Sequence, residues 1–427
     1  MTKNRIVLIG AGSMLYSKEL ASSLMSSAGL CESELVLFDI DHERLDLVYR
    51  YISSLVGLRR SPMTVHRETD RDRALEGADF VVVAVAIGGL AAKKLDVDIA
   101  ADHGIMQIKA DTTGPAGLFR ALRSIPFFLQ LAADMERLCP SAYLLNVTNP
   151  LAAITGAVTQ NSSIRTLGIC GAVTEMGWDF ARKLGVERER LRIVSAGVNH
   201  FTWLTGLYLD GTQRMDLVRD VLVPAFGDLP VTGELFGAFG MFPIPGYKYA
   251  SEFFAGYGAA AGFTPFDAQG AAAAFSAQIA AVTAELDGAR PFRLDHESAD
   301  SAILASVMES ISLDMPGVYS INRPNTQIDS LPRGAIVEGP VYVRGEQIAP
   351  LWPGDFTDSV KSLLEGAARR QQLTIDAAVA GDGRMVVEAL MADPLVPSVR
   401  VAIELTDDYL RREADFLPQF GMGGGDA

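Results

Sequence analysis

The chain has little positive charge and few cysteines, and each shortage excludes a class of protein. Its 427 residues include 37 Lys and Arg against 52 Asp and Glu, which gives a formal net charge of -15. A field of that sign repels nucleic acid phosphates and anionic membranes, so neither is an expected partner. The cysteines, Cys31, Cys139 and Cys170, form neither an even set nor a metal-finger spacing, so no disulfide framework is expected.

Long hydrophobic runs are also missing. No 18 consecutive apolar residues occur without a charge, and MTKN passes directly into RIVLI without the apolar region of a signal peptide. We therefore expect a cytoplasmic protein. Because 427 residues exceed what one hydrophobic core usually serves, we expect two domains, one over 1–195 that binds a dinucleotide and one over 196–427 that binds the substrate.

The N-terminal segment is typical of a dinucleotide-binding fold. RIVLI (5–9) predicts a buried strand, and helical spacing follows the glycine turn. A second strand, ELVLF (34–38), ends on Asp39, whose carboxylate can accept both ribose hydroxyls and repel a 2′-phosphate, so NAD is favoured over NADP. Leu15 replaces the third glycine of G-x-G-x-x-G, which weakens the motif. The residues predicted to contact NAD at this turn are Gly10, Gly12, Ser13 and Met14.

Further strands are predicted at 79–89, 142–150, 165–170 and 191–197, with helical segments between most of them. Such alternation favours a Rossmann-type doubly wound parallel sheet, followed by a mixed α/β domain as in lactate and malate dehydrogenases. If the strands that precede Asn149, Cys170 and His200 are neighbouring or nearby and parallel, these three side chains converge at one edge of the sheet.

Cys170 and His200 admit more than one interpretation. A thiolate and an imidazole suit manganese, iron, cobalt or nickel, with open positions for a polyol substrate. Alternatively, the cysteine is a packing residue and the histidine a satisfied structural one. A third possibility is that His200 is the acid/base of a simple NAD-dependent sugar or 2-hydroxy acid dehydrogenase. A protein that senses the nucleotide without catalysis is a further alternative.

Several motifs together resemble the NAD-dependent glycosidases of glycoside hydrolase family 4, over nearly the whole chain. They are DTTGPAGLFRALRSIP (111–126), CPSAYLLNVTNP (139–150), GICG (168–171), GVNHFTW (197–203), NRPN (322–325) with the following IVEGPVYV, and LTIDAAVAGD with ALMADPLV (373–396). The resemblance implies tightly held NAD and a divalent metal such as manganese. It also implies C3 oxidation, elimination across C1 and C2, water addition and re-reduction, rather than the usual chemistry of two carboxylates.

Roles follow from this resemblance position by position. Cys170 and His200 are expected to bind the metal, and Asn149 to bind the sugar and the cofactor. Tyr247 is the expected base, with Tyr249 second. Asp111 is the expected acid, although a helix cap is an alternative role for it.

Relatives commonly place Asp or His directly after the metal cysteine, whereas this chain has Gly171 there, which leaves the acid open. Arg120 and Arg123 are expected only to line a solvated face.

The substrate is expected to be a small glycoside with an anionic group at C6. Lys248 and Arg323 would pair with that group, and Tyr249 and His200 would also contact the sugar. An α-sulfoquinovoside is the preferred expectation, because the chain resembles the divergent sulfoquinovosidases related to this family. An α-glucuronide or α-galacturonide, which also carries an anion at C6, and a neutral α-glycoside are alternatives. Independently of the substrate, Lys248 and Arg323 could instead make ordinary surface or inter-subunit ion pairs. The resemblance further implies a homodimer or homotetramer.

Overall fold

The computed structural model describes residues 3–227, 229–260, 262–294, 296 and 298–421. The side chains of residues 230, 247 and 260 also lie outside the described part. In these ranges, one mixed sheet runs through both halves of the chain, with helices on its two faces.

The strands are β1 (Arg5–Ile9), β2 (Glu34–Phe38), β3 (Thr64–Glu68), β4 (Phe80–Val83), β5 (Tyr143–Asn146), β6 (Arg165–Ile169), β7 (Leu191–Val198), β8 (Phe201–Leu209), β9 (Thr212–Gln213), β10 (Pro243–Ile244), β11 (Gly317–Pro324), β12 (Ile336–Arg344) and β13 (Gln347–Pro350). The α-helices are α1 (Met14–Ser26), α2 (His42–Arg59), α3 (Arg71–Leu75), α4 (Gly89–Asp102), α5 (Gly114–Leu138), α6 (Leu151–Asn161), α7 (Ala172–Leu184), α8 (Val223–Ala225), α9 (Pro230–Phe239), α10 (Tyr247–Ala250), α11 (Tyr257–Ala260), α12 (Ala268–Leu286), α13 (Ala299–Ser312), α14 (Asp358–Ala380), α15 (Gly383–Met391) and α16 (Val399–Arg412).

The N-terminal half forms the expected parallel sheet. Its strands lie in the order β3-β2-β1-β4-β5-β6, and all five pairings are parallel. The strand order reverses between β1 and β4, which is where doubly wound sheets bind ligands at the carboxyl ends of their strands. The predicted Rossmann-type fold is therefore confirmed.

The expectation that β7 lies parallel to β6, as a neighbour or nearby, is wrong. The hairpin of β11 and β12 adds to β6 instead, and β7 pairs antiparallel with β12 and β8. Only Asn199 and His200 separate β7 from β8, and so short a connection joins antiparallel strands, since a parallel crossover needs a dozen or more residues. His200 therefore reaches the site from a tight turn, not from the carboxyl edge of a parallel strand.

The C-terminal helices complete one face of the sheet. α14 packs on α5 and α6, while α13 packs on α1 on the opposite face. The predicted hairpin over 338–352 is confirmed by β12 and β13, which turn at Gly345 and Glu346. Because the sheet is continuous, the division near residue 195 stays a prediction. In the described part of the chain, no helix has the length and hydropathy to cross a membrane.

Arg123 does not line a solvated face. Its side chain is buried on α5 and forms a bidentate pair with Asp96 of α4, at 2.8 and 2.5 Å, and a second ion pair with Glu413 at 3.1 Å. These ion pairs join the segment that follows α16 to α4 and α5. Loss of one partner would leave a buried charge unpaired, which is strongly destabilising.

Candidate active site

The glycine turn after β1 packs closely against the segment that follows β4. Gly10 has φ +92°, and a Cβ on it would collide with the carbonyl oxygen of Ala84. The Gly12 amide donates to Asp39 Oδ2 at 2.7 Å, and Asp39 Oδ1 accepts from the Asp41 amide at 2.9 Å. Leu15, at the position of the missing third glycine, is 48% exposed, so no close packing depends on a glycine there.

The start of α1 suits a phosphate. Ser13 is the N-cap residue, and its side chain makes no capping hydrogen bond, so the first backbone amides of the helix remain available to an anion. Met14 is buried at the first position of the helix. The turn, the helix start and the carboxylate of Asp39 together fit a dinucleotide with free ribose hydroxyls.

Cys170 and His200 meet, as expected. Cys170 directly follows β6, and its Sγ lies 3.4 Å from Nε2 of His200, which stands at φ +62° in the β7–β8 turn. On the other side of the ring, Nδ1 lies 2.6 Å from Oγ1 of Thr112, and this hydroxyl donates to Asp111 at 2.7 Å. Because the Thr112 proton is used on Asp111, Nδ1 must carry a proton, which leaves the Nε2 lone pair facing the sulfur.

Burial sets the protonation of this pair. It lowers the pKa of His200 to about 4, against the opposing charge of Asp111. Burial also raises the pKa of the Cys170 thiol, with contributions from Glu338 and Asp300. A divalent cation would favour the thiolate and bind the neutral imidazole. Among the described residues, no group of three or more His, Cys, Asp or Glu side chains could hold a metal; Cys170 and His200 would offer two ligands to such a cation.

Tyr249 covers the histidine. The two ring centroids are 3.9 Å apart, and Nζ of Lys109 lies 4.6 Å from the centroid of the Tyr249 ring. Burial, followed by the charges of Asp111 and Cys170, raises the pKa of the Tyr249 hydroxyl. The side chain of Tyr247, the first expectation for the base, lies outside the described part of the structure.

The segment that carries Lys109 and Asp111 is held by a carboxylate that the sequence reasoning missed. Glu252 is 3% exposed, and its Oε1 accepts from the amides of Lys109 at 2.5 Å and Ala110 at 3.0 Å. From the other side, Lys93 Nζ donates to the Ala110 carbonyl at 2.9 Å. The available signal was the one acid in ASEFF (250–254), which directly follows Tyr249, a residue already expected to contact the sugar.

Asp111 does not cap the helix that follows it. α5 begins at Gly114, whose amide donates to Asp393 Oδ2 at 3.1 Å. That acid comes from the ALMADPLV segment, so the turn before α5 is fixed by a residue far along the chain. Asp111 instead accepts the hydrogen bond of the Thr112 hydroxyl, and so orients the hydroxyl that contacts His200.

Asn149 is tied to this cluster through α5. Arg120 Nε donates to the Asn149 carbonyl oxygen at 2.9 Å, and the side-chain oxygen of Asn149 accepts from the Leu151 amide at 3.2 Å. Arg120 also interacts electrostatically with Asp111 and Tyr249. The expectation that Arg120 lines a solvated face is therefore wrong, since it links the Asn-Pro motif to the site.

A second buried acid, Glu338, lies near Cys170 and His200 and was not predicted from the sequence. Glu338 of β12 is 1% exposed and accepts from Asn199 Nδ2 at 2.9 Å and from Ser320 Oγ at 3.2 Å. Burial raises the pKa of Glu338 to about 7. Asn199 immediately precedes His200, so this hydrogen bond positions the β7–β8 turn.

A cleft of about 490 Å³ opens beside Tyr249. Its charged lining is Lys109, Glu175, Asp179, Arg182, Arg188 and Lys248, which is four cations and two acids. The Arg188 guanidinium lies 4.2 Å from the ring centroid of Trp178, which also lines the cleft. Lys248 lines the cleft together with Tyr249, and its role towards the C6 group stays a prediction. Arg323 does not line this cleft; it stands on β11 opposite Val337, and its Nη1 has no hydrogen-bond partner in the described residues.

Sequence comparison decides the family. The family model described as "Family 4 glycosyl hydrolase" matches residues 5–186, and the model of the family's C-terminal domain matches residues 195–396. The chain belongs to glycosyl hydrolase family 4. It is 28% identical to an α-galactosidase and 29% identical to a probable 6-phospho-β-glucosidase, both from Bacillus subtilis, with 97% and 98% of this chain and 99% of each relative aligned.

Solved structures confirm the fold. A 6-phospho-α-glucosidase from gut microorganisms, in complex with NAD and Mn²⁺, superposes with a TM-score of 0.87 at 20% identity, over 98% of this chain and 99% of that one. A malate dehydrogenase from Cryptosporidium parvum superposes with a TM-score of 0.56 at 13% identity, over 88% and 99% of the two chains. The family 4 fold is thus built on the same sheet as that dehydrogenase, as the sequence indicated.

Proposed function

We propose that this family 4 enzyme binds NAD and a divalent metal and hydrolyses a small glycoside with an anionic group at C6. The observation that carries the proposal is the cationic cleft beside Tyr249, next to the paired Cys170 and His200. In a chain with a net charge of -15, a cleft with four cations and two acids is a local reversal of sign. Such a reversal attracts and orients an anion.

The residues of the chain fit both groups. At the glycine turn, a Cβ on Gly10 or Gly12 would clash with neighbouring atoms, and Asp39 provides a carboxylate that can bind ribose hydroxyls. At the second site, the sulfur of Cys170 faces the Nε2 lone pair of His200. Bound at the glycine turn, NAD would supply a hydride acceptor for C3, and a divalent metal held by Cys170 and His200 would supply Lewis-acid stabilisation of the negative charge on the sugar. Relatives contain both groups in their solved structures.

The side chains around the pair have separable roles in this proposal. Tyr249, stacked on His200, would take the C2 proton as a tyrosinate after C3 has become a ketone, because the ketone acidifies that hydrogen. Burial raises the pKa of this hydroxyl, so the tyrosinate would depend on the nearby Lys109 ammonium and on a bound divalent cation, both of which favour the charged form. Asn149, held by Arg120, orients the sugar near C2 and C3. Thr112 and Asp111 keep His200 in the tautomer with a lone pair on Nε2. Tyr247 stays an alternative base.

The anionic group is recognised by the cations of the cleft. Lys248 precedes Tyr249 in the chain, and the Lys109 ammonium lies 4.6 Å from the centroid of the Tyr249 ring, whereas Arg182 pairs with Asp179. Ammonium and guanidinium donors bind carboxylate, sulfonate and phosphate oxygens alike. We retain the 6-sulfonate of sulfoquinovose as the preferred group. Relatives at 25% and 26% identity are named α-galacturonidase and 6-phospho-β-glucosidase, so carboxylate and phosphate belong in the same test.

A panel of 4-nitrophenyl glycosides tests this assignment. Hydrolysis is measured with NAD and Mn²⁺ on α-sulfoquinovoside, α-glucuronide, α-galacturonide, the 6-phospho-α- and β-glucosides, and α-glucoside and α-galactoside. The proposal predicts kcat/KM at least tenfold higher for one anionic glycoside than for its neutral counterpart. Lys248→Met should reduce that advantage and leave the neutral substrate unaffected. A preference for a neutral glycoside would refute the anionic assignment, and NADH production from a free sugar without hydrolysis would favour a dehydrogenase.

A further inference from the structure

We propose that Asp300 is the acid that protonates the leaving group, and that it takes the place left without a side chain at Gly171. This inference rests on the proposed function and names a further catalytic residue for it. Gly171 directly follows Cys170, and a side chain at this position would point at the start of α13. The structure fills that space from another part of the chain.

The start of α13 packs where a side chain at Gly171 would otherwise lie. A Cβ on Gly171 would lie 2.5 Å from the Asp300 amide nitrogen and 2.7 Å from the Ala299 carbonyl carbon. The start of α13 therefore occupies the volume of the absent side chain. The Gly171 amide donates to Asp300 Oδ1 at 2.5 Å, which fixes this carboxyl group one residue from Cys170. Oδ2 is then the oxygen that would carry the proton.

Asp300 is also electrostatically part of the site. Its carboxyl group interacts electrostatically with Cys170 of the pair and with Tyr249 and Glu338. Burial raises the pKa of Asp300 itself, with Glu175 adding to the effect and the Gly171 amide opposing it. A rise in pKa is the direction that favours a proton donor.

Asp111, the acid expected from the sequence, is placed for different work. Its carboxylate accepts from Thr112, and the cations of Lys93 and Arg120 interact with it. This arrangement suits an orienting group for His200, because a carboxylate between cations and a hydroxyl donor is bound as an acceptor. The two acids therefore divide the roles of orientation and protonation.

The chemical step balances with Asp300 as donor. The base takes the C2 proton, the released electron pair forms the C1–C2 double bond, and the C1–O bond breaks with its electrons on the departing oxygen. Asp300 gives that oxygen its proton and becomes a carboxylate, so the aglycone leaves as a neutral alcohol. Water addition at C1 then returns a proton to Asp300. NAD, already part of the proposed function, is the oxidant at C3.

Leaving-group dependence tests the assignment. A 4-nitrophenolate needs little protonation, whereas an alkoxide needs a proton, and general acids contribute roughly 10²- to 10⁴-fold. For Asp300→Asn, we expect kcat on the methyl glycoside of the preferred sugar to fall at least 100-fold, with less than a tenfold fall on the 4-nitrophenyl glycoside. The amide oxygen of Asn can still accept from Gly171, so the fold should be retained, which circular dichroism and thermal melting would check.

Glu19→Gln is the matched control, because it removes a carboxylate of α1 that interacts electrostatically with Asp300 but does not accept from the Gly171 amide. Both of its rates should stay within about twofold of the wild type. Equal losses on the two substrates for Asp300→Asn, or no loss, would overturn the proposal, as would a selective loss in Glu175→Gln instead. Failure of the wild-type enzyme to release nitrophenol with NAD would refute the proposed function itself, and is seen before any variant is compared.

Discussion

Replacement of Glu252 by Gln should change how stability depends on pH. Burial, followed by the charge of Asp111, raises the pKa of Glu252 from 4.5 to about 7. The folded protein therefore keeps a proton that the unfolded chain releases. Because the folded pKa is the higher one, this group's full contribution to stability is present below about pH 4.5 and is lost as the pH rises towards about 7. A rise of this pKa from 4.5 to about 7 corresponds to about 3 kcal/mol.

The comparison of Glu252→Gln with wild type isolates this contribution. Gln does not titrate, and its side-chain oxygen can still accept from the Lys109 and Ala110 amides. Urea unfolding of the two proteins, without NAD or metal, at about pH 5 and about pH 8 should give free energies whose difference moves in favour of the variant by about 2.5 kcal/mol. A difference that stays constant within about 0.5 kcal/mol would refute the claim that this carboxyl group is protonated on folding.

Three further changes follow from the site. Gly171→Ala should destabilise the protein by roughly 1–3 kcal/mol, because the added methyl meets the start of α13; a wild-type melting temperature would contradict the close packing. Cys170→Ser should weaken binding of Mn²⁺ at least tenfold, since a hydroxyl is a poorer ligand than a thiolate; unchanged affinity by titration calorimetry would remove Cys170 from the metal site. Tyr249→Phe should lower kcat roughly 10²- to 10⁴-fold without loss of NAD binding; near-normal turnover would leave Tyr247 as the base.

Local patterns in the sequence predicted the parallel half of the fold. The continuous apolar runs of β1, β2 and β6 each end on a turn, and those turns deliver Gly10, Asp39 and Cys170 to one edge of the sheet. Buried parallel strands have this pattern because both of their faces are covered. The predicted meeting of Cys170 with His200 was correct even though the predicted orientation of β7 was wrong.

The rest of the site could not be predicted because distant segments create it. Glu252 and Asp393 look like ordinary surface acids until the fold brings them against the backbone amides of 109–114. Glu338 faces Gly197 only because the β11–β12 hairpin enters the sheet next to β6. Asp300 reaches Gly171 only through the packing of α13, and a motif centred on Cys170 contains no sign of it.

The most direct test of the oxidation–elimination account is hydrolysis of the preferred 4-nitrophenyl glycoside in D₂O. The released sugar is examined at C2 by NMR, while the absorbance of NADH is followed. The account predicts that release requires NAD, that NADH does not accumulate, and that the product carries solvent deuterium at C2, because the C2 proton is removed and replaced in every turnover. Release without deuterium at C2 would contradict the mechanism, whatever the substrate proves to be.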